Sequence, residues 1–141
     1  MIILDTNVIS ELMRPEPSQM VVSWLDSQRK DELCLTALTQ AELAFGIELM
    51  ASGKRKTELT AAFKYFIDEV FADRVLAFDS HAADYYASIA SARQISGRPI
   101  SVIDAQIAAL CLSAGAPLAT RNTKDFAGTG VALINPWEDL G

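Results

Sequence analysis

The chain has 141 residues, 50% of them hydrophobic and 21% charged, with a formal net charge of −6. That length suits a single domain, and the apolar share excludes a disordered chain and lets a domain of this size bury about two-thirds of its unfolded surface. The acidic balance excludes a protein that grips nucleic acid mainly through a basic face, so a polyanion must be accepted through a bound cation or a local cluster such as Lys54, Arg55 and Lys56.

Taken in chain order, Met1 to Leu4 form a short apolar run ended by Asp5, Thr6 and Asn7, side chains that favour turns and helix N-caps. A first strand therefore feeds a short helix, which Arg14-Pro15-Glu16-Pro17 breaks. Val21, Val22, Trp24 and Leu25 fall at helical spacing, Glu32 to Thr36 read as a second buried strand, and a third helix is expected from Thr39. Leu59, Ala62, Phe63, Phe66, Ile67 and Val70 recur at three- and four-residue intervals and predict one helix within 54–72. Val75 to Phe78 follow as a strand, and Asp79 is placed to cap the next helix. From Ser101 onward Ile103, Ile107, Leu110, Cys111 and Ala114 share one helical face, Gly115 is the expected stop, and 117–120 and 131–134 supply two last strands. Short, continuously apolar strands alternating with helices predict a three-layer α/β/α fold with a short-stranded parallel central sheet.

Cys34 and Cys111 lie in apolar runs without metal-type spacing, which predicts buried free thiols and a reducing cytoplasmic setting. Four residues before Asp5 are too few for a signal-peptide core, and no apolar run approaches the roughly 18 residues of a membrane span. A soluble protein with no membrane partner is expected.

In parallel sheets ligands bind beyond the carboxyl ends of the strands, so the polar residues there are the ones to weigh. Asp5 follows the first strand, Glu42 and Asp104 are expected in first turns of helices, and Asn122 and Asp125 follow the strand ending at Thr120. Each has a structural explanation: Asp5 as an N-cap, Thr39-x-x-Glu42 and Ser101-x-x-Asp104 as capping boxes, Asp125 as the start of a helical turn. The functional reading rests on their coincidence at one sheet edge. Asp104 carries it furthest, because Ile103, Ala105 and Ile107 surround it with apolar side chains, where an unpaired carboxylate is costly to desolvate. Neighbouring carboxylates cannot compensate, since like charges ~4 Å apart repel by about 4 kcal/mol at an effective dielectric of 20. A divalent cation can, and an all-oxygen set suits Mg2+ or Mn2+ rather than zinc. Such a site fits phosphodiester hydrolysis. His81 is expected at a helix start without a partner. Arg14, Arg98, Arg121 and Lys124 are candidate phosphate contacts.

Four segments in order, 2–11 (IleIleLeuAspThrAsnValIleSerGlu), 39–46 (ThrGlnAlaGluLeuAlaPheGly), 101–109 (SerValIleAspAlaGlnIleAlaAla) and 118–126 (LeuAlaThrArgAsnThrLysAspPhe), strongly resemble the PIN-domain family, and within it the VapC/FitB-like toxins of bacterial type II toxin–antitoxin pairs. The resemblance covers essentially the whole chain and implies a single PIN-like nuclease domain over 1–141. It implies a Mg2+-dependent endoribonuclease that cuts RNA and is held inactive by a VapB/FitA-like antitoxin. It also implies a homodimer that meets promoter DNA only through that antitoxin. The family's acidic quartet falls on Asp5, Glu42, Asp104 and Asp125, with Thr120 and Asn122 as polar helpers. On this reading Asp5 and Asp104 bind the principal metal, and Glu42 and Asp125 complete its outer shell or hold a second ion. A dimer patch is expected on the early apolar helices, with Trp24 and Leu25.

Two other readings compete. A haloacid dehalogenase-type phosphatase expects a second Asp two residues after the first, where this chain has Asn7. A non-catalytic module would use the acidic pocket only to capture a partner's arginine. Metal-stimulated cleavage that disappears in Asp5→Asn separates the enzyme from the module.

Overall fold

A computed structural model describes residues 1–138. Five strands, β1 (Ile2–Leu4), β2 (Leu33–Thr36), β3 (Val75–Leu76), β4 (Leu118–Ala119) and β5 (Leu133–Ile134), form one sheet in the order β3-β2-β1-β4-β5, and every pairing is parallel. Six α-helices cross over between them: α1 (Thr6–Leu12), α2 (Gln19–Asp26), α3 (Ala37–Glu48), α4 (Lys54–Tyr65), α5 (Ser80–Ile95) and α6 (Val102–Ala114).

Successive strand residues point to opposite faces, and the two halves of the core follow that alternation. Ile3, Cys34 and Leu118 pack with Ile89 of α5 and with Ile107, Ala108 and Cys111 of α6. Leu4, Leu33, Leu35 and Ala119 pack on the other side with Val8 and Ile9 of α1, Val21 and Leu25 of α2, and Leu43 of α3. The sheet is therefore covered on both faces, which is why its strands carry no polar alternation and why the three-layer α/β/α reading holds. Both cysteines are buried and free.

Several boundaries differ from the sequence reading. The third helix begins at Ala37, because Thr36 at the end of β2 also serves as N-cap, its hydroxyl accepting the Thr39 N–H at 3.1 Å. Glu42 is thereby moved from the first turn of α3 into its second, and the expected Thr39–Glu42 capping box does not form. The strand expected over 75–78 is reduced to Val75–Leu76 as the chain leaves toward Asp79, which does cap α5 by accepting the Ala82 N–H at 2.9 Å. The helix expected within 54–72 runs as α4 to Tyr65 and then widens into a π-helical turn over Phe66–Val70. Leu25 lies in the core and Trp24 is partly buried against it; exposed apolar side chains are Phe45 on α3 and Leu49 just after it. No helix among the described residues is long and apolar enough to cross a membrane.

Candidate active site

Strand order sets where a ligand can enter. The chain departs in opposite directions along the sheet from β1, to β2 and β3 on one side and to β4 and β5 on the other. The crevice beyond the carboxyl ends of β1 and β4 is thus the topological switch point where open α/β sheets bind ligands. Asp5 and Thr120 are the first residues past those two strands. Asp5 is held to β4 through its own N–H, which donates to the Ala119 carbonyl at 2.9 Å.

Asp5 is both cap and candidate ligand. One carboxylate oxygen accepts the Thr6 N–H at 2.8 Å at the start of α1, and the other accepts the Thr120 hydroxyl at 2.8 Å. The residue is nonetheless 4% exposed. Burial outweighs these hydrogen bonds and, with the nearby charges of Asp104 and Glu42, pushes its carboxyl up to about 6. Burial likewise raises Asp104, eased by the Ser101 hydroxyl and reinforced by the charges of Asp125 and Glu42. Asp104 sits in the first turn of α6, whose N-cap Ser101 accepts the Asp104 N–H at 3.2 Å, as the capping reading expected. Glu42 reaches the same place from the second turn of α3, where the Thr6 hydroxyl donates to it at 2.7 Å.

Asp5, Glu42, Asp104 and Asn122 line one cavity of about 510 Å³. Two of the expected site residues fall outside its lining. Thr120 is fully buried; its hydroxyl donates to Asp5 and accepts the Asn122 N–H at 3.0 Å, so it positions Asp5. Asp125 is exposed beside the cavity and acts on Asp104 through its charge. Of the four candidate phosphate contacts, Arg14 and Arg121 line the cavity and Arg98 and Lys124 do not. His81 does have a partner, its Nδ1 lying 2.7 Å from the Ser113 hydroxyl, away from the cavity.

Sequence reasoning passed over Thr6, Asn7 and Glu11. Asn7 bridges the two strand ends: its amide donates to Thr120 at 3.3 Å while its carbonyl oxygen accepts the Arg121 N–H at 3.2 Å. Glu11 is 6% exposed and lines the cavity. The Ser18 N–H, and then Arg14, hold its carboxyl below the usual range. The available signal was position: Thr6, Asn7 and Glu11 share the short helix that Asp5 caps.

Of the four carboxylates lining the cavity, Asp5, Glu11, Glu42 and Asp104, the first and last are destabilised as anions, chiefly by burial and further by neighbouring carboxylates, an arrangement that a hard cation relieves. Among the described residues no three His, Cys, Asp or Glu are gathered closely enough to enclose an ion.

Fold and site together define an α/β protein with an acidic cavity at its switch point. The PIN domain family matches residues 2–131. The chain is 43% identical over 139 residues to the toxin FitB of Neisseria gonorrhoeae, covering 99% of this chain and 100% of that protein. It is also 43% identical over 138 residues to the VapC ribonuclease Y4jK of Sinorhizobium fredii, covering 98% and 99% respectively. The solved structure of FitAB bound to an IR36 DNA fragment superposes with a TM-score of 0.92 at 41% identity, covering 100% of this chain and 99% of that one. The chain belongs to the PIN-domain family.

Proposed function

We propose that the chain is a Mg2+-dependent endoribonuclease, the toxin of a type II toxin–antitoxin pair, acting in the cytoplasm as a single nuclease domain over 1–141. The observation that carries the reading is the convergence of Asp5, Glu42 and Asp104, from three separate elements, on one cavity at the switch point. The names of its relatives, a VapC ribonuclease and a tRNA(fMet)-specific endonuclease VapC of Shigella flexneri, support the substrate class.

Asp5 and Asp104 would hold the metal, with Glu42 and Asp125 supplying further negative charge around it. Bound there, the ion supplies neutralisation of a phosphodiester oxygen and a water of lowered pKa. The chain's own part is to keep the acids in place. Thr120 and Asn7 fix Asp5, the Thr6 hydroxyl fixes Glu42, and Asn122, at the cavity edge, is placed to orient a water or a phosphate oxygen. Because all of these contacts are made by short side chains on element ends, the acids are set before substrate arrives.

A VapB/FitA-like antitoxin is the expected inhibitor, promoter DNA being met only through it, and FitAB and VapBC complexes among the structural relatives support this. A homodimer is the expected assembly, checked by sedimentation of the purified toxin. For the enzymatic reading the test is cleavage of RNA by Asp5→Asn protein: lost cutting with an unchanged circular-dichroism spectrum is expected. Cutting equal to the wild type would refute the assignment.

A further inference from the structure

Besides Asp5, Glu42 and Asp104, the cavity is lined by Arg14, Arg121, Trp137 and Glu11. We propose that Arg121, held against Trp137, is the residue that grips the RNA strand through a phosphate neighbouring the one cleaved. This rests on the ribonuclease reading above and adds to it a substrate-positioning residue in the same cavity as the acids.

Three features place Arg121 there. Its backbone N–H donates to the Asn7 carbonyl oxygen at 3.2 Å, which ties its Cα to the turn that carries Asp5. Its guanidinium carbon lies 5.2 Å from the centre of the Trp137 ring, so the planar cation rests on an aromatic face. Trp137 packs partly buried against the core, and its backbone N–H donates to the Asn135 side-chain carbonyl oxygen at 2.9 Å. Among the described residues the Arg121 side chain has no salt bridge, whereas Arg14 is paired with the buried Glu11 at 3.3 Å. The charge of Arg121 reaches Glu11 only as a minor influence. A guanidinium over an indole face keeps N–H groups available, and such a fork matches two oxygens of a phosphate.

The arrangement also answers the charge of the chain. A formal −6 repels RNA, and a strand that meets only carboxylates and their metal is held at a single phosphate. A preorganised cation in the same cavity gives the strand a second point of attachment, which fixes its direction through the site.

The experiment uses Asp104→Asn protein, to suppress cleavage, in Mg2+ buffer with a short fluorescein-labelled single-stranded RNA of mixed sequence. Adding Arg121→Ala should weaken binding by about tenfold and reduce the slope of log Kd against log salt by about 0.7, the amount for one single-strand phosphate contact. Arg121→Lys, which keeps the charge but loses the stacked fork, should recover only part of the affinity. Arg98→Ala, which removes the same charge outside the cavity, should leave affinity and slope as they were. RNA binding that Arg121→Ala does not change, or that Arg98→Ala changes equally, would overturn the proposal while leaving the ribonuclease reading intact. No binding of RNA in Mg2+ by the wild type and by the Asp104→Asn protein alike, with no cleavage by the wild type, would overturn both. An Arg121→Ala defect confined to antitoxin binding would reassign the pair to the protein partner and likewise overturn it.

Discussion

At the scale of single residues, Asp5 is placed where its charge is least welcome. Its carboxyl is raised from 3.8 to about 6 by burial, so the folded chain binds that proton more tightly than the unfolded chain does. Its contribution to stability is therefore most favourable below about 4 and is lost as pH rises through about 6, a change of roughly 3 kcal/mol in metal-free protein. In EDTA at pH 7.5, Asp5→Asn should accordingly raise the melting temperature by several degrees, and the gain should vanish near pH 4; a variant less stable than the wild type at both pH values would contradict this account of Asp5. Thr120 gives the complementary case. Thr120→Val keeps the shape but removes the hydroxyl that serves Asp5 and Asn122, leaving buried polar groups unpaired at a cost of about 1 to 3 kcal/mol by urea denaturation.

These residues also mark how far the sequence could be read. Asp5, Glu42 and Asp104 could be named because each follows a strand or opens a helix, positions that physics makes convergent in a parallel sheet. Thr120 could be placed near the site but not assigned, since whether a hydroxyl faces substrate or a carboxylate depends on side-chain direction, and here it points to Asp5. Arg14 and Arg121 could not be told from Arg98 and Lys124, because charge alone says nothing of which cation a loop carries to the cavity.

At the scale of elements, α6 joins stability to function. Ser101 caps it by accepting the Asp104 N–H at 3.2 Å, and Asp104 occupies its first turn, where helix N–H groups favour an anion. Ser101→Ala should cost about 1 kcal/mol of stability and lower cleavage further than that loss explains, because the cap also orients Asp104; activity retained in full would show that Asp104 is positioned by other contacts. Gly115 ends the same helix at φ 65, a left-handed conformation, and Gly115→Ala should cost about 1 kcal/mol despite the open space around it. Element type was legible wherever the apolar period was long, as in α6 and α4. Boundaries were not, because Thr36 serves strand and cap at once, and no local pattern says which role begins the helix. The π-helical turn at Phe66–Val70 was hidden for a related reason: its apolar spacing also fits a continuing α-helix.

At the scale of the molecule, a net charge of −6 and a proposed polyanionic substrate are reconciled only if a cation stands between them. The parallel sheet supplies the place, by bringing the ends of β1, β2 and β4 and the start of α6 to one rim, and the two-sided cover of helices keeps that rim rigid. The measurement that bears on this most directly is cleavage of a labelled RNA by antitoxin-free protein, with Mg2+ and with EDTA, using wild type and Asp104→Asn side by side. Cutting by the wild type in Mg2+, abolished by EDTA and lost in Asp104→Asn, is the predicted result; cutting that survives EDTA, or is equal in the two proteins, would contradict a carboxylate-held metal as the centre of this site.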